Sequence, residues 1–140
     1  IVITKGDERR EEQMINLEYP LATKSPSSVW GLISNAAGLQ KWLADYVEEE
    51  GDKMVFSWGK EWTEQDKKSA TVVSRERNKA IRLRWTSYQP HEYWEMRIEQ
   101  SELTGLLCLK VTDYAEADDV DDICDLWDDN MKRLHRISGV

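Results

Sequence analysis

Two hydrophobic periodicities divide this chain. Near the start, Ile15, Leu17 and Tyr19 alternate with Asn16 and Glu18, the period of a half-buried strand, and Pro20 ends its clean pairing. Ser25-Pro26 then supplies a helix start, a capping hydroxyl followed by proline at the first helical position. Val29, Trp30, Leu32 and Ile33 form the buried side of a short helix. Ser34 or Asn35 caps a second one, in which Leu39, Trp42 and Leu43 recur at helical spacing and Gly38 is a weak point.

From residue 45 the period becomes two. Tyr46-Val47 opens a strand that turns at Gly51-Asp52, and Met54, Phe56 and Trp58 share a face of the next. A polar hairpin tip from Gly59 to Lys68 carries Trp62. Ala70, Val72 and Ser74 lead to a turn at Arg77-Asn78. Ile81, Leu83 and Trp85 alternate with Arg82 and Arg84. After a break at Gln89-Pro90-His91, Trp94, Met96 and Ile98 alternate with Glu95, Arg97 and Glu99. A turn at Thr104-Gly105 precedes Leu107, Leu109 and Val111, which alternate with Cys108, Lys110 and Thr112. Asp118 to Ile137 then reads as one long helix, with Val120, Ile123, Cys124, Trp127, Met131 and Leu134 along one stripe.

This pattern predicts an α+β architecture of two layers. Each central strand has one apolar and one charged face, so an antiparallel sheet covered on one side is expected. A helix of about 20 residues is roughly 30 Å long, enough to cross a twisted sheet diagonally, and such a helix laid on a curved sheet can enclose a pocket. Asp118 or Asp119 is the expected cap, with acids in the first turns and Lys132, Arg133 and Arg136 at the end, as the helix dipole favours. Residues 1–13, almost wholly polar after Ile3, read as an appendage, disordered or helical in context. Residues 14–140 read as the domain.

Composition narrows the function classes. The net charge of -8 argues against a nucleic-acid surface, which needs clustered Lys and Arg. Eight of the acids fall in residues 115–140, where only three bases offset them. No apolar run approaches the roughly 20 residues of a membrane span, and the first residues lack the basic start and apolar core of a signal peptide. Cys108 and Cys124 are too few for a disulfide framework and fall on different elements, so reduced thiols and a cytoplasmic location are expected.

Several segments carry a family resemblance: Leu17-Glu18-Tyr19-Pro20-Leu21, Gly38-Leu39-Gln40-Lys41-Trp42-Leu43-Ala44-Asp45, Ile81-Arg82-Leu83-Arg84-Trp85, Arg97-Ile98-Glu99-Gln100-Ser101-Glu102-Leu103-Thr104-Gly105, Val111-Thr112-Asp113-Tyr114-Ala115-Glu116 and Asp125-Leu126-Trp127-Asp128. With the order strand, two short helices, about six strands and long helix, the chain from Met14 onward resembles the small START-like proteins of Bacteroidetes bacteria. These are similar to the wider SRPBCC (helix-grip) superfamily of lipid-transfer START domains, the birch-pollen allergen family, polyketide cyclases and homologues of the activator of the ninety-kilodalton heat-shock-protein ATPase. The resemblance implies the helix-grip fold. It leaves function open, because such members bind and process very different molecules.

The expected site is a cavity between the sheet and the long helix, for a small hydrophobic or amphipathic ligand, lipid-like or aromatic. Its expected lining is Trp42, Phe56, Trp58, Trp85, Trp94, Met96 and Leu109 with Ile123, Trp127 and Met131 of the helix. The competing reading is that these large side chains fill the space. A protein-interaction or chaperone-regulating module is the alternative function, with Trp62, Asp121, Asp125 and Asp128 as contacts. A cyclase-like or hydrolase-like enzyme ranks last, since strand parity puts the clear ionisable residues on the outer face. His91 and His135 sit in no context that supplies a nucleophile or a metal-ligand partner, and the acidic helix has no calcium-loop pattern. No catalytic residue, metal or cofactor is assigned, and the oligomeric state is unconstrained.

Overall fold

The computed structural model describes residues 12–59 and 66–140, in which the two periodicities become two layers. The elements are β1 (Glu12–Pro20), α1 (Pro26–Ile33), α2 (Ala36–Leu39), β2 (Tyr46–Glu50), β3 (Lys53–Trp58), β4 (Asp66–Glu76), β5 (Ala80–Trp85), β6 (Trp94–Gln100), β7 (Leu107–Glu116), a 3-10 turn (Ala117–Asp119) and α3 (Val120–Ser138). The strands form one antiparallel seven-stranded sheet in the order β1-β7-β6-β5-β4-β3-β2. An irregularity between Val72 and Ser74 breaks the β4–β5 register, the kind of local bend by which a sheet curves.

Local chemistry explains the helix pair. The Ser25 hydroxyl accepts from the Ser28 N–H ahead of Pro26, and Asn35 Oδ1 accepts from the Gly38 N–H at 2.7 Å. The second helix is shorter than its apolar spacing suggested. It ends at Leu39, and Lys41 and Trp42 continue in tight turns that bond back to the Gly38 and Leu39 carbonyls. Trp42 and Leu43 are buried all the same, because the Trp42 indole donates to the Leu32 carbonyl at 2.9 Å. At the long helix, Asp119 holds the N-cap position but its side chain makes no capping hydrogen bond; a 3-10 turn leads in instead.

Two ladders extend further than the sequence suggested. Glu12 and Gln13, read above as appendage, pair with Glu116 and Ala115. Asp66, Lys67 and Lys68, read as hairpin tip, pair with Trp58, Ser57 and Phe56. Residues 1–11 and Trp62 lie outside the described residues.

The inner sheet face carries the core: Met54, Phe56, Ile81, Leu83, Met96, Leu109 and Val111 are all buried against Trp42, Ile33 and the second half of α3. The outer face is ionic. Glu95 bonds Arg82 at 3.1 Å and lies 3.6 Å from Arg97, and Lys110 meets Glu99 at 2.8 Å. Arg133 of α3 donates to the Trp42 carbonyl at 3.0 Å, tying the long helix to the helix pair.

Gly38 is where α1 and α2 approach most closely. A Cβ there would lie 2.2 Å from the Gly31 carbonyl oxygen and 2.9 Å from Leu32 backbone atoms. Gly38→Ala should therefore destabilise the domain by about 1–3 kcal/mol, as overpacking does. Gly31→Ala, whose Cβ meets nothing within 4 Å, should instead stabilise it by up to about 1 kcal/mol through helix propensity. Urea denaturation of the two variants checks both signs.

Candidate functional site

Where α3 begins its crossing, the two layers do not close on each other. A cavity of about 440 Å³ lies between the inner sheet face and the first half of the helix. Its walls are indoles: Trp58 ends β3, Trp85 ends β5, Trp94 opens β6 and Trp127 hangs from α3. The rings pack in sequence, Trp85 on Trp94 at 5.0 Å between centroids and 22° between planes, and Trp94 against Trp127 at 6.0 Å. Trp58 is fixed by donating its indole N–H to the Leu43 carbonyl at 3.0 Å. Leu43, Ile123 and Leu126 add apolar wall, and Asp66, Lys67 and Lys68 of β4 border the space. The Lys68 ammonium sits 5.4 Å from the Trp85 ring centroid, within cation–π range.

The lining thus brings together Trp58, Trp85, Trp94, Ile123 and Trp127. The other five expected residues lie elsewhere. Trp42, Phe56, Met96, Leu109 and Met131 are packed into the core beside the cavity and do not border it. Phe56 shows why: its ring is enclosed edge-on by Trp85 at 5.1 Å and Trp94 at 5.8 Å, so the indoles stand between it and the space.

Besides Asp66, Lys67 and Lys68, the polar residues of the cavity are Tyr88, Asp113 and Asn130, none of them an expected site residue. The inference that ionisable groups face outward fails at Asp113, which is 5 % exposed. It occupies the next inward position after Leu107, Leu109 and Val111, so the parity that located the core also pointed to it. Asn130 falls three residues after Trp127 on the buried side of α3, and Tyr88 comes from the β5–β6 connection, which has no periodicity to read.

Three donors converge on the Asp113 carboxylate. The Tyr88 hydroxyl reaches Oδ1 at 2.5 Å, the Tyr114 backbone N–H reaches the same oxygen at 2.8 Å, and the Trp127 indole N–H reaches Oδ2 at 3.0 Å. Burial pushes this carboxyl above its ordinary range, against those hydrogen bonds and the Lys68 charge, which pull it down. Burial beside Asp113 also pushes the Tyr88 hydroxyl upward, so Tyr88 stays protonated and donates. Trp94 is 1 % exposed, and its indole N–H has no acceptor among the described residues. Such an orphaned donor costs about 1–3 kcal/mol.

The proposed partner contacts are dispersed. Asp121 and Asp125 are exposed on α3, whereas Asp128 accepts from the Tyr19 hydroxyl at 2.7 Å. Cys108 and Cys124 are free thiols; burial and the Glu18 carboxylate push Cys108 up to about 11, an unreactive state. Among the described residues no three His, Cys, Asp or Glu side chains could hold a metal ion, and no helix is long and apolar enough to cross a membrane.

The raised Asp113 carboxyl has a measurable linkage. The folded state holds this proton more tightly than the unfolded chain, so Asp113 contributes stability fully present below its ordinary 3.8 and lost as pH rises through its higher folded value. Asp113→Asn should flatten that part of the stability–pH profile, measured by urea denaturation at pH steps upward from 3.8. An unchanged slope in the variant would assign the dependence to other carboxyls.

Comparison with known proteins agrees with this architecture. Residues 9–140 match the model of the START-like superfamily domain. The solution structure of the Bacteroides fragilis protein BfR322 is 34% identical, with a TM-score of 0.61, and the match covers 89% of this chain and 90% of that one. Two more distant structures share the fold. The Aha1 dimer of Colwellia psychrerythraea is 16% identical with a TM-score of 0.68, over 90% of this chain and 96% of that one. The Staphylococcus aureus protein SA2116 is 12% identical with a TM-score of 0.70, over 94% and 96%. No curated protein matches the sequence. The family match over nearly the whole length, together with the gripped-helix architecture, places this chain in the START-like superfamily.

Proposed function

We propose that this protein binds a small hydrophobic or amphipathic molecule in the cavity between its sheet and α3. The observation that carries the reading is the cavity itself: about 440 Å³ walled by four indoles, with a buried carboxylate among them. Its size falls in the range of small-molecule sites, roughly 300–1,000 Å³, and its character matches theirs, mostly apolar with a few polar anchors. START-like domains commonly bind hydrophobic ligands, which supports the same reading.

The energetics bound the affinity. Burying about 200–250 Å² of apolar ligand surface yields roughly 5–6 kcal/mol at about 25 cal/mol per Å², before the costs of association. That corresponds to binding weaker than micromolar. Ring stacking on the indoles and a polar contact must supply the rest.

The two other readings are less well supported. An acid or base catalyst must be free to exchange its proton with a substrate. Asp113 is instead held as an acceptor by three donors. A partner-binding acidic face on α3 has part of its charge engaged, since Asp128 is bonded to Tyr19. Location in a cytoplasm is proposed on the free thiols alone.

Titration with dodecanoate, a sterol and naphthalene derivatives should give a saturable change in tryptophan emission for at least one probe. Ile123→Trp, which builds bulk into the cavity wall, should weaken that binding at least tenfold while leaving the circular dichroism spectrum intact. A folded protein that responds to none of them would end the ligand-binding reading.

A further inference from the structure

The geometry points to a planar aromatic ligand that carries a hydroxyl group, inserted with that hydroxyl against Asp113. The inference rests on the cavity being a ligand site and adds the chemistry of what enters it.

The argument is an accounting of donors and acceptors on one wall. A carboxylate offers about four acceptor positions. In Asp113, Oδ1 takes two bonds, from Tyr88 and from the Tyr114 N–H, while Oδ2 takes only the Trp127 N–H. Oδ2 therefore keeps an acceptor position, and Asp113 borders the cavity. An acceptor position facing an apolar space matches a hydroxyl, which can donate to a carboxylate. An alkyl chain would leave it unmet.

The ring is argued from the walls. Trp85 and Trp94 already stack within 22° of parallel, and Trp58 and Trp127 flank them at 56° and 52°. Flat indole faces reward a flat ligand beyond the area it buries, because aromatic pairs gain from offset and edge-to-face contact. A saturated chain gains area alone.

The test compares 2-naphthol, 2-methoxynaphthalene and dodecanoate by titration into the ¹⁵N-labelled protein, following the indole N–H resonances. The phenol should bind at least about tenfold more tightly than its methyl ether, as a site built to pair a hydroxyl rejects the analogue that cannot donate. It should also shift the indole resonance of Trp127, whose N–H shares Oδ2 with the ligand hydroxyl. In Asp113→Asn, where a side-chain amide replaces the carboxylate, the preference should fall to within about twofold. Equal binding of phenol and ether by the wild-type protein overturns the inference, and so does tight binding of dodecanoate alone; both leave the cavity as a ligand site. Failure of all three probes overturns the ligand reading as well. The wild-type comparison decides the matter even where the variant does not fold.

Discussion

A carboxylate removed from water is tolerated only with donors around it, and Asp113 finds its three on separate parts of the fold. The Tyr114 N–H comes from its own strand, the Tyr88 hydroxyl from the connection leaving β5, and the Trp127 N–H from α3. The arrangement fixes more than one side chain. Because the Trp127 indole must reach the carboxylate, the first half of α3 is held at a set distance from the sheet. Because the Tyr88 hydroxyl must reach it as well, the β5–β6 connection folds over the inner face rather than away from it. The space left between them is the cavity. A leucine at position 113 would satisfy the strand's hydrophobic pattern and remove what holds the two layers apart.

The burial gradient along α3 follows from this. Trp127, Met131 and Leu134 are buried, while Val120, Ile123 and Cys124 on the same stripe are only half-buried. The stripe is apolar throughout, so the difference lies in what it faces. The later turns meet the close-packed Trp42, Met96 and Leu109, and Arg133 pins them to the helix pair. The earlier turns face indoles that are already stacked on one another. Large rigid rings interdigitate poorly compared with branched aliphatic side chains, so a wall of four Trp leaves volume where a wall of Leu and Ile would close it.

Much of this was legible in the chain. Alternation located every described strand, the Ser25-Pro26 pair located α1, and the stripe from Val120 to Leu134 located α3, because each signal is local and periodic. Five of the ten expected lining residues border the cavity, and the division has a physical basis. Parity tells which face a residue takes, and it cannot tell how far along the strand the helix lifts off. Phe56 and Met96 share the parity of Trp58 and Trp94 but are packed in the core and do not border the cavity. Asp113 is legible by parity, one inward step beyond Val111, but as a polar residue it carries no apolar signal of burial. Tyr88 was not readable, since its role depends on a connection whose path is set by tertiary contact.

The same division of the molecule decides how a ligand of the proposed kind would be admitted. The second half of α3 is anchored by a filled core, an Arg133 bond to the helix pair, and a chain end that returns to accept from the Ala22 N–H at 2.9 Å. The first half touches the sheet mainly through Trp127 and the Tyr19–Asp128 bond. Entry therefore costs least if the early turns of α3 shift while the later turns stay fixed, because the packing that would resist lies beyond Asn130. Asp113 sits at the boundary between the two halves, so a ligand of the proposed kind, by completing its acceptor set, would also complete the latch holding the helix over the cavity.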